Sequence, residues 1–194
     1  MKIGFTGAGG TGKTTTLNLV KAMFPDLPIL PSTTRAVYQH RGITEEDQET
    51  MGAAERMELQ EAIYANRIAS EDSAGGDFIS DRTLLDNFCY QQIRCYDAMD
   101  QQMLDQKREQ IRQNMETYDH VFYFPISFAP VGDEIRYGNP VFQNMMDNFV
   151  FAEIHKMKLW STVKTIPSGT PEYRATFISC QISGACNPRG KGDE

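Results

Sequence analysis

The sequence predicts an α/β fold of three layers: a five-stranded parallel sheet with helices on both faces. Three observations point there. Short apolar runs alternate with longer stretches of helical periodicity through most of the 194 residues, the rhythm of right-handed crossovers around a parallel sheet. The first of these runs passes directly into a glycine-rich turn and then a helix. Charged residues follow three of the expected strands, Lys13 after the first, Arg35 after the second, and Asp81 with Arg82 at the third. That is the edge at which open parallel sheets bind ligands.

Taken in order, the first strand is 1–6. After the turn, Leu17, Val20, Met23 and Phe24 recur at helical spacing and Pro25 closes the helix. Residues 27–30, bracketed by prolines, form a short second strand that delivers Pro31-Ser32-Thr33-Thr34-Arg35 to the rim of the sheet. Thr44-Glu45-Glu46-Asp47 resembles a capping box. It opens a helical stretch to about residue 72, with a break at Gly52. A turn at 73–76 precedes the third strand, 77–81, which ends in a carboxylate. Helical stretches at 84–95 and about 97–116 follow, the second polar on most faces. The aromatic run 120–124, bounded by Pro125, is the fourth strand. Residues 127–139 carry prolines, glycines and charges and are expected on the surface. A helix over 141–160, a fifth strand over 162–166 and a last helix over 171–182, with Pro171 at its start, complete the set.

Length and composition fit one soluble domain over 1–186, with a flexible, glycine-rich tail at 187–194. A net charge of −7 argues against a general nucleic-acid-binding surface, while leaving room for a local cationic pocket. Cys89, Cys95, Cys180 and Cys186 form no C-x-x-C pair and have no histidine at zinc-like spacing, so reduced thiols are expected. No apolar run reaches the ~18 residues of a transmembrane helix, and no signal-peptide pattern precedes the glycine-rich turn. A cytoplasmic location without a membrane partner is expected.

The turn itself, Gly7-Ala8-Gly9-Gly10-Thr11-Gly12-Lys13-Thr14, matches G-x-x-x-x-G-K-[ST], the phosphate-cradling P-loop. Glycines 7, 9, 10 and 12 can take positive φ and lack a Cβ, so several backbone N–H groups can converge on one anion. The helix that follows aims its unpaired N–H groups and positive dipole end at the same point. Lys13 supplies a mobile cation for the β- and γ-phosphates, and the Thr14 hydroxyl can ligate Mg²⁺. With Thr15, these residues are the expected binding set for ATP with Mg²⁺. An ordinary glycine-rich turn would share the composition, but both flanking elements stand where the motif requires them.

Asp81 and Arg82 form the second tier. A carboxylate there can organise Mg²⁺ or accept a proton, and the arginine can bridge phosphates. Alternatively, Asp81 caps the helix at Leu84 and Arg82 is its ion partner.

These segments in series resemble thymidylate kinases. Asp81-Arg82-Thr83-Leu84-Leu85-Asp86-Asn87-Phe88-Cys89-Tyr90-Gln91 looks like their D-R-Y-x-x-S-x-x-A-Y-Q segment, and Thr33-Thr34-Arg35 is similar to their T-R-E-P turn. Tyr64-Ala65-Asn66-Arg67 resembles their F-x-A-N-R helix segment. The resemblance runs from Gly7 to about Gln91. It implies that Arg35 grips an acceptor monophosphate and Arg82 the transferred or acceptor phosphoryl. Tyr64, Arg67 and Gln91 would line the acceptor site, and Arg136, in a short lid near 126–139, would close over the triphosphate. A solvated loop arginine is the alternative for Arg136. Arg174 is expected at the surface or between helices.

The sequence also departs from that pattern. Ile63 stands where the family stacks a phenylalanine, Asp86 replaces its serine, and Ala36-Val37 replaces the E-P of T-R-E-P. The chain further resembles P-loop kinases that include ribosylnicotinamide kinases. Those commonly carry a carboxylate after the second strand as general base, and this turn has none. A phosphate acceptor is already an anion and mainly needs cations. The expected activity is therefore phosphoryl transfer from ATP to a (deoxy)nucleoside monophosphate. The rivals are a nucleoside or ribosylnicotinamide kinase using Asp81 as base, and a regulatory P-loop NTPase acting through a partner. The expected partner is a small nucleotide; a homodimer is left open.

Overall fold

The computed structural model describes residues 1–127 and 139–184. Arg136, Cys186, most of the expected lid and the tail at 187–194 lie outside them. Five strands form one sheet in the order β2-β3-β1-β4-β5: β1 (Lys2–Thr6), β2 (Ile29–Leu30), β3 (Phe78–Asp81), β4 (His120–Tyr123) and β5 (Val163–Thr165). All four pairings are parallel, as continuous apolar runs separated by helices require. Seven α-helices connect and cover them among the described residues: α1 (Lys13–Met23), α2 (Thr33–Arg41), α3 (Ala53–Ala74), α4 (Leu84–Arg94), α5 (Gln101–Met115), α6 (Pro140–Lys156) and α7 (Pro171–Ser183). No helix among them is long and apolar enough to cross a membrane.

The period-two alternation of the strands divides the core. Ile3, Phe5, Ile79, Phe122 and Phe124 point to one face, where Leu17 and Val20 of α1 and Ala175 and Ile178 of α7 cover them. Phe78, Val121 and Tyr123 point to the other, against Leu85 and Phe88 of α4 and Val150 and Ile154 of α6. Gly4 lets the second layer approach β1, since a Cβ there would lie 2.7 Å from Thr83 and 2.9 Å from Tyr118. Each of the large apolar side chains is fully buried, a contribution of about 1.5–3 kcal/mol apiece.

Sequence and structure part company at two elements. The helix expected over 141–160 ends at Lys156, and Lys158, at φ +57°, leads into a separate 3₁₀ turn, Leu159–Ser161. Residues 33–41, expected only as a rim turn and its continuation, form α2. Its intrinsic signals are weak, with β-branched threonines at the start and no side-chain cap. Val37 and Tyr38 pack on Leu59 and Ile63 of α3, so tertiary burial supplies what propensity does not. The Thr44–Asp47 box forms reciprocally, with Asp47 Oδ2 accepting from Thr44 N at 2.6 Å and Thr44 Oγ1 accepting from Asp47 N at 3.4 Å. It opens a short 3₁₀ turn, Glu46–Glu49, and the long helix begins afresh after Gly52.

Candidate phosphate-binding site

The loop between β1 and α1 lies at the carboxyl edge of the sheet, at its centre. Gly7 has φ +134° and its Cβ position is 2.5 Å from the Phe124 carbonyl, so only glycine fits beside the end of β4. Gly10 and Gly12 also have positive φ. Gly9 does not share this conformation, and its Cβ position lies at ordinary contact distance, 3.5 Å from the Tyr90 hydroxyl and 3.8 Å from the Arg82 guanidinium. Helices α5, α6 and α7 begin with a side chain accepting from their first N–H groups. Helix α1 begins at Gly12 in the left-handed region with no side-chain cap, which suits its N–H groups to receiving an anion.

Lys13 is buried rather than solvent-facing. Its ammonium donates to the Gly7 carbonyl at 2.8 Å, the Ala8 carbonyl at 2.5 Å and Thr11 Oγ1 at 3.1 Å, and so lies over the cradle. The exposed Thr14 hydroxyl donates to Asp81 Oδ2 at 2.9 Å. Asp81 does not cap α4; Asp86 does, its Oδ2 accepting from Thr83 N at 2.9 Å. The carboxylate that ends β3 is thereby left to the rim.

Arg82 has φ +91°, a conformation that costs a non-glycine residue on the order of 1–3 kcal/mol. The backbone is held there by Arg82 N donating to the Phe5 carbonyl at 3.0 Å and Ser80 Oγ donating to the Arg82 carbonyl at 2.6 Å. The turn aims the side chain under the loop. Its Nη1 lies 3.4 Å from both the Gly7 carbonyl and Asp86 Oδ1, and the guanidinium sits 5.1 Å from the Tyr90 ring centroid. Burial works against its charge, but Tyr90, Asp86 and Asp81 outweigh it, so the guanidinium is held above its ordinary range.

The residues expected to line an acceptor site separate. Arg35 is exposed on the first turn of α2, at the rim. Arg67 is fully buried, donating to Ser80 Oγ at 2.8 Å and to the carbonyls of Pro31 at 3.0 Å and Asp81 at 3.2 Å. It ties α3 to the ends of β2 and β3. The Tyr64 ring carries the Lys107 ammonium 4.4 Å from its centroid, and burial first, then Glu61 and Glu71, pushes its hydroxyl up to about 12. Gln91 donates to Glu61 Oε1 at 2.7 Å within the α3–α4 contact.

Other contacts to the loop carry no motif. Arg174, expected at the surface or between helices, is buried and donates from α7 to the Thr11 carbonyl at 2.9 Å. Gln143 of α6 donates to the Gly9 carbonyl at 2.8 Å. Asp147, one turn later, accepts from the Tyr123 hydroxyl at 2.8 Å. Burial lifts its carboxyl above the usual range, against the pull of Tyr123, Ile126 and Lys13. In each the donor and acceptor are far apart in sequence, so no local pattern signals the contact.

A glycine cradle between β1 and an uncapped α1, a lysine over it and a hydroxyl–carboxylate pair beside it, in a β2-β3-β1-β4-β5 sheet, define a P-loop NTPase fold. A family model described as AAA domain matches residues 2–164. The chain belongs to that family. No protein of curated function matches the sequence. Among solved structures, deoxyadenosine kinase from M. mycoides with bound dCTP is similar with a TM-score of 0.71 at 14% identity, over 95% of this chain and 100% of that one. Thymidylate kinase from Candida albicans gives 0.69 at 14% identity, over 100% and 95%. NadR protein in complex with NAD and AMP-PNP gives 0.63 at 12% identity, and this chain spans 51% of its length. At these identities the likeness is one of fold.

Proposed function

We propose that the chain is a P-loop phosphotransferase that moves the γ-phosphoryl group of ATP to a (deoxy)nucleoside monophosphate. One observation supports it most. Arg35 stands exposed at the rim, while the turn after β2 that carries it, Pro31-Ser32-Thr33-Thr34-Arg35, offers no carboxylate to an acceptor hydroxyl. The rim carboxylate, Asp81, is bonded to Thr14 beside the loop, on the side of the triphosphate.

Thr14 and Asp81 are the groups that would hold Mg²⁺, and they fit it: both are hard oxygen donors, few in number, beside a phosphate cradle. Bound there, Mg²⁺ would supply charge neutralisation to the triphosphate. The loop N–H groups and Lys13 bind and orient the triphosphate. Arg82, already fixed under the loop, neutralises charge that develops as the phosphoryl group moves. Arg35 holds the acceptor phosphate in line. Positioning and electrostatics of this kind carry most of the catalysis in phosphoryl transfer. The partner is a small nucleotide.

The reaction products test the proposal. Incubation with ATP, Mg²⁺ and a panel of nucleosides and monophosphates should yield ADP and a diphosphate. ADP with a new monophosphate would instead assign a nucleoside or ribosylnicotinamide kinase with Asp81 as base. ADP with free phosphate alone would assign a regulatory NTPase.

A further inference from the structure

Asp86 is fully buried on the first turn of α4, and both its oxygens are used. Oδ1 accepts from the Gly7 N–H at 2.9 Å and faces Arg82 Nη1 at 3.4 Å. Oδ2 accepts from Thr83 N at 2.9 Å and from Thr83 Oγ1 at 3.2 Å. One carboxylate therefore joins the first glycine of the loop, the guanidinium aimed at that loop, and the start of the helix carrying both Asp86 and Tyr90. A helix cap needs only the second oxygen. The first is directed across 79 residues of sequence to the loop.

We propose that Asp86 is a positioning residue for the phosphate site, setting the loop and Arg82 in one fixed relation. Two physical requirements meet in it. Arg82 is buried, and a buried guanidinium needs a charged partner. Oδ1 supplies that partner on the side away from Tyr90, so the fork is held from two directions while its backbone is strained. Gly7 N–H is also buried beside Phe124, where an unmade hydrogen bond would be costly. A serine, the residue at this place in the thymidylate kinase pattern, has one oxygen and no charge. It can cap α4 or reach the loop, and it cannot neutralise Arg82.

The inference rests on the loop as the phosphate site, and its test has a readout that does not. Hydrogen exchange of the Gly7 amide should quicken at least tenfold in Asp86→Asn and in Asp86→Ser. ADP with Mg²⁺, followed by isothermal titration, should bind about tenfold more weakly to both variants. Asp119→Ala, which removes the carboxylate accepting from Lys2 N at 2.7 Å where β1 and β4 begin, at the edge of the sheet away from the loop, controls for lost stability and should leave both readouts within about twofold. In a cycle with Arg82→Ala, the double variant should lose less ADP affinity than the product of the single losses. Unchanged Gly7 exchange, or equal loss of ADP affinity in Asp119→Ala at matched Tm, would overturn the proposal. Strict independence from Arg82→Ala would overturn it too. Wild-type protein that binds ADP but transfers nothing to a monophosphate overturns the proposed function and leaves this inference standing.

Discussion

The Thr14 hydroxyl and the Asp81 carboxylate meet at 2.9 Å, joining the first turn of α1 to the end of β3. In the register of the sheet, Asp81 stands beside Phe5, just before the loop, so neighbouring parallel strands bring the pair together. For Asp81→Asn, the amide keeps the shape and removes the charge. kcat should fall on the order of 10²–10³, as when a single electrostatic contact is lost elsewhere, with a smaller change in ATP affinity. Raising Mg²⁺ should recover part of the rate. Full activity at ordinary Mg²⁺ would remove Asp81 from the site.

Lys13→Ala should abolish measurable transfer and leave the far-ultraviolet circular dichroism unchanged. Among the described residues the ammonium donates to loop atoms, the carbonyls of Gly7 and Ala8 and the Thr11 hydroxyl, so its loss opens no gap in the apolar core. Near-normal turnover would show that the loop is not the catalytic site.

Arg35→Ala should raise KM for the acceptor at least tenfold while changing KM for ATP little. Arg35 lies on α2, after β2, two strands from the loop in the sheet order. Equal changes in both constants would assign it to structure rather than to the acceptor.

A nucleoside should bind on the order of 10²-fold more weakly than its 5′-monophosphate. Charge-assisted hydrogen bonds to one phosphate contribute roughly 1.5–3 kcal/mol each, less what desolvation and salt remove. Isothermal titration at two salt concentrations measures it. Equal affinity for the two ligands counts against a monophosphate acceptor.

Away from the site, Arg108 on α5 donates to both oxygens of Glu153 on α6, at 2.8 and 3.0 Å. Burial would raise the Glu153 carboxyl, but Arg108 and Lys156 outweigh it and hold it below the ordinary range. Its ionised form is thus favoured by folding. That contribution is complete above the unfolded glutamate value of about 4.3 and fades as pH falls through the lower folded value. Arg108→Ala should destabilise at pH 7 by about 3 kcal/mol, the low end for breaking a buried pair, since Lys156 remains. Urea unfolding at pH 7 and pH 3 should show the difference from wild type shrinking in acid. A constant difference would mean that Arg108 acts by packing alone.

How much of this was legible depends on where each signal resides. Local patterns gave the strands, most helices and the loop, because apolar periodicity and glycine spacing are properties of contiguous residues. Helix α2 was not legible, since its apolar pair Val37 and Tyr38 has meaning only against Leu59 and Ile63. Tyr64, Arg67 and Gln91 were legible as a group but not as to direction. On α3 and α4, the packing of α3 against α4 and the sheet decides which side of each helix meets a cleft. Arg67 turns under the ends of β2 and β3, and Gln91 turns into the α3–α4 seam.

The sequence by itself determined the three-layer order of strands and helices and the chemistry of the loop, since a run of glycines followed by lysine and threonine has few other uses. Tertiary structure alone decided what holds that loop in shape: Asp86 on Gly7, Gln143 on Gly9 and Arg174 on Thr11. These contacts join residues separated by 79, 134 and 163 positions. Hydrogen bonds reach about 3 Å in space, and closeness of that kind over such separations is made by the crossovers of the sheet, not by any neighbouring residue.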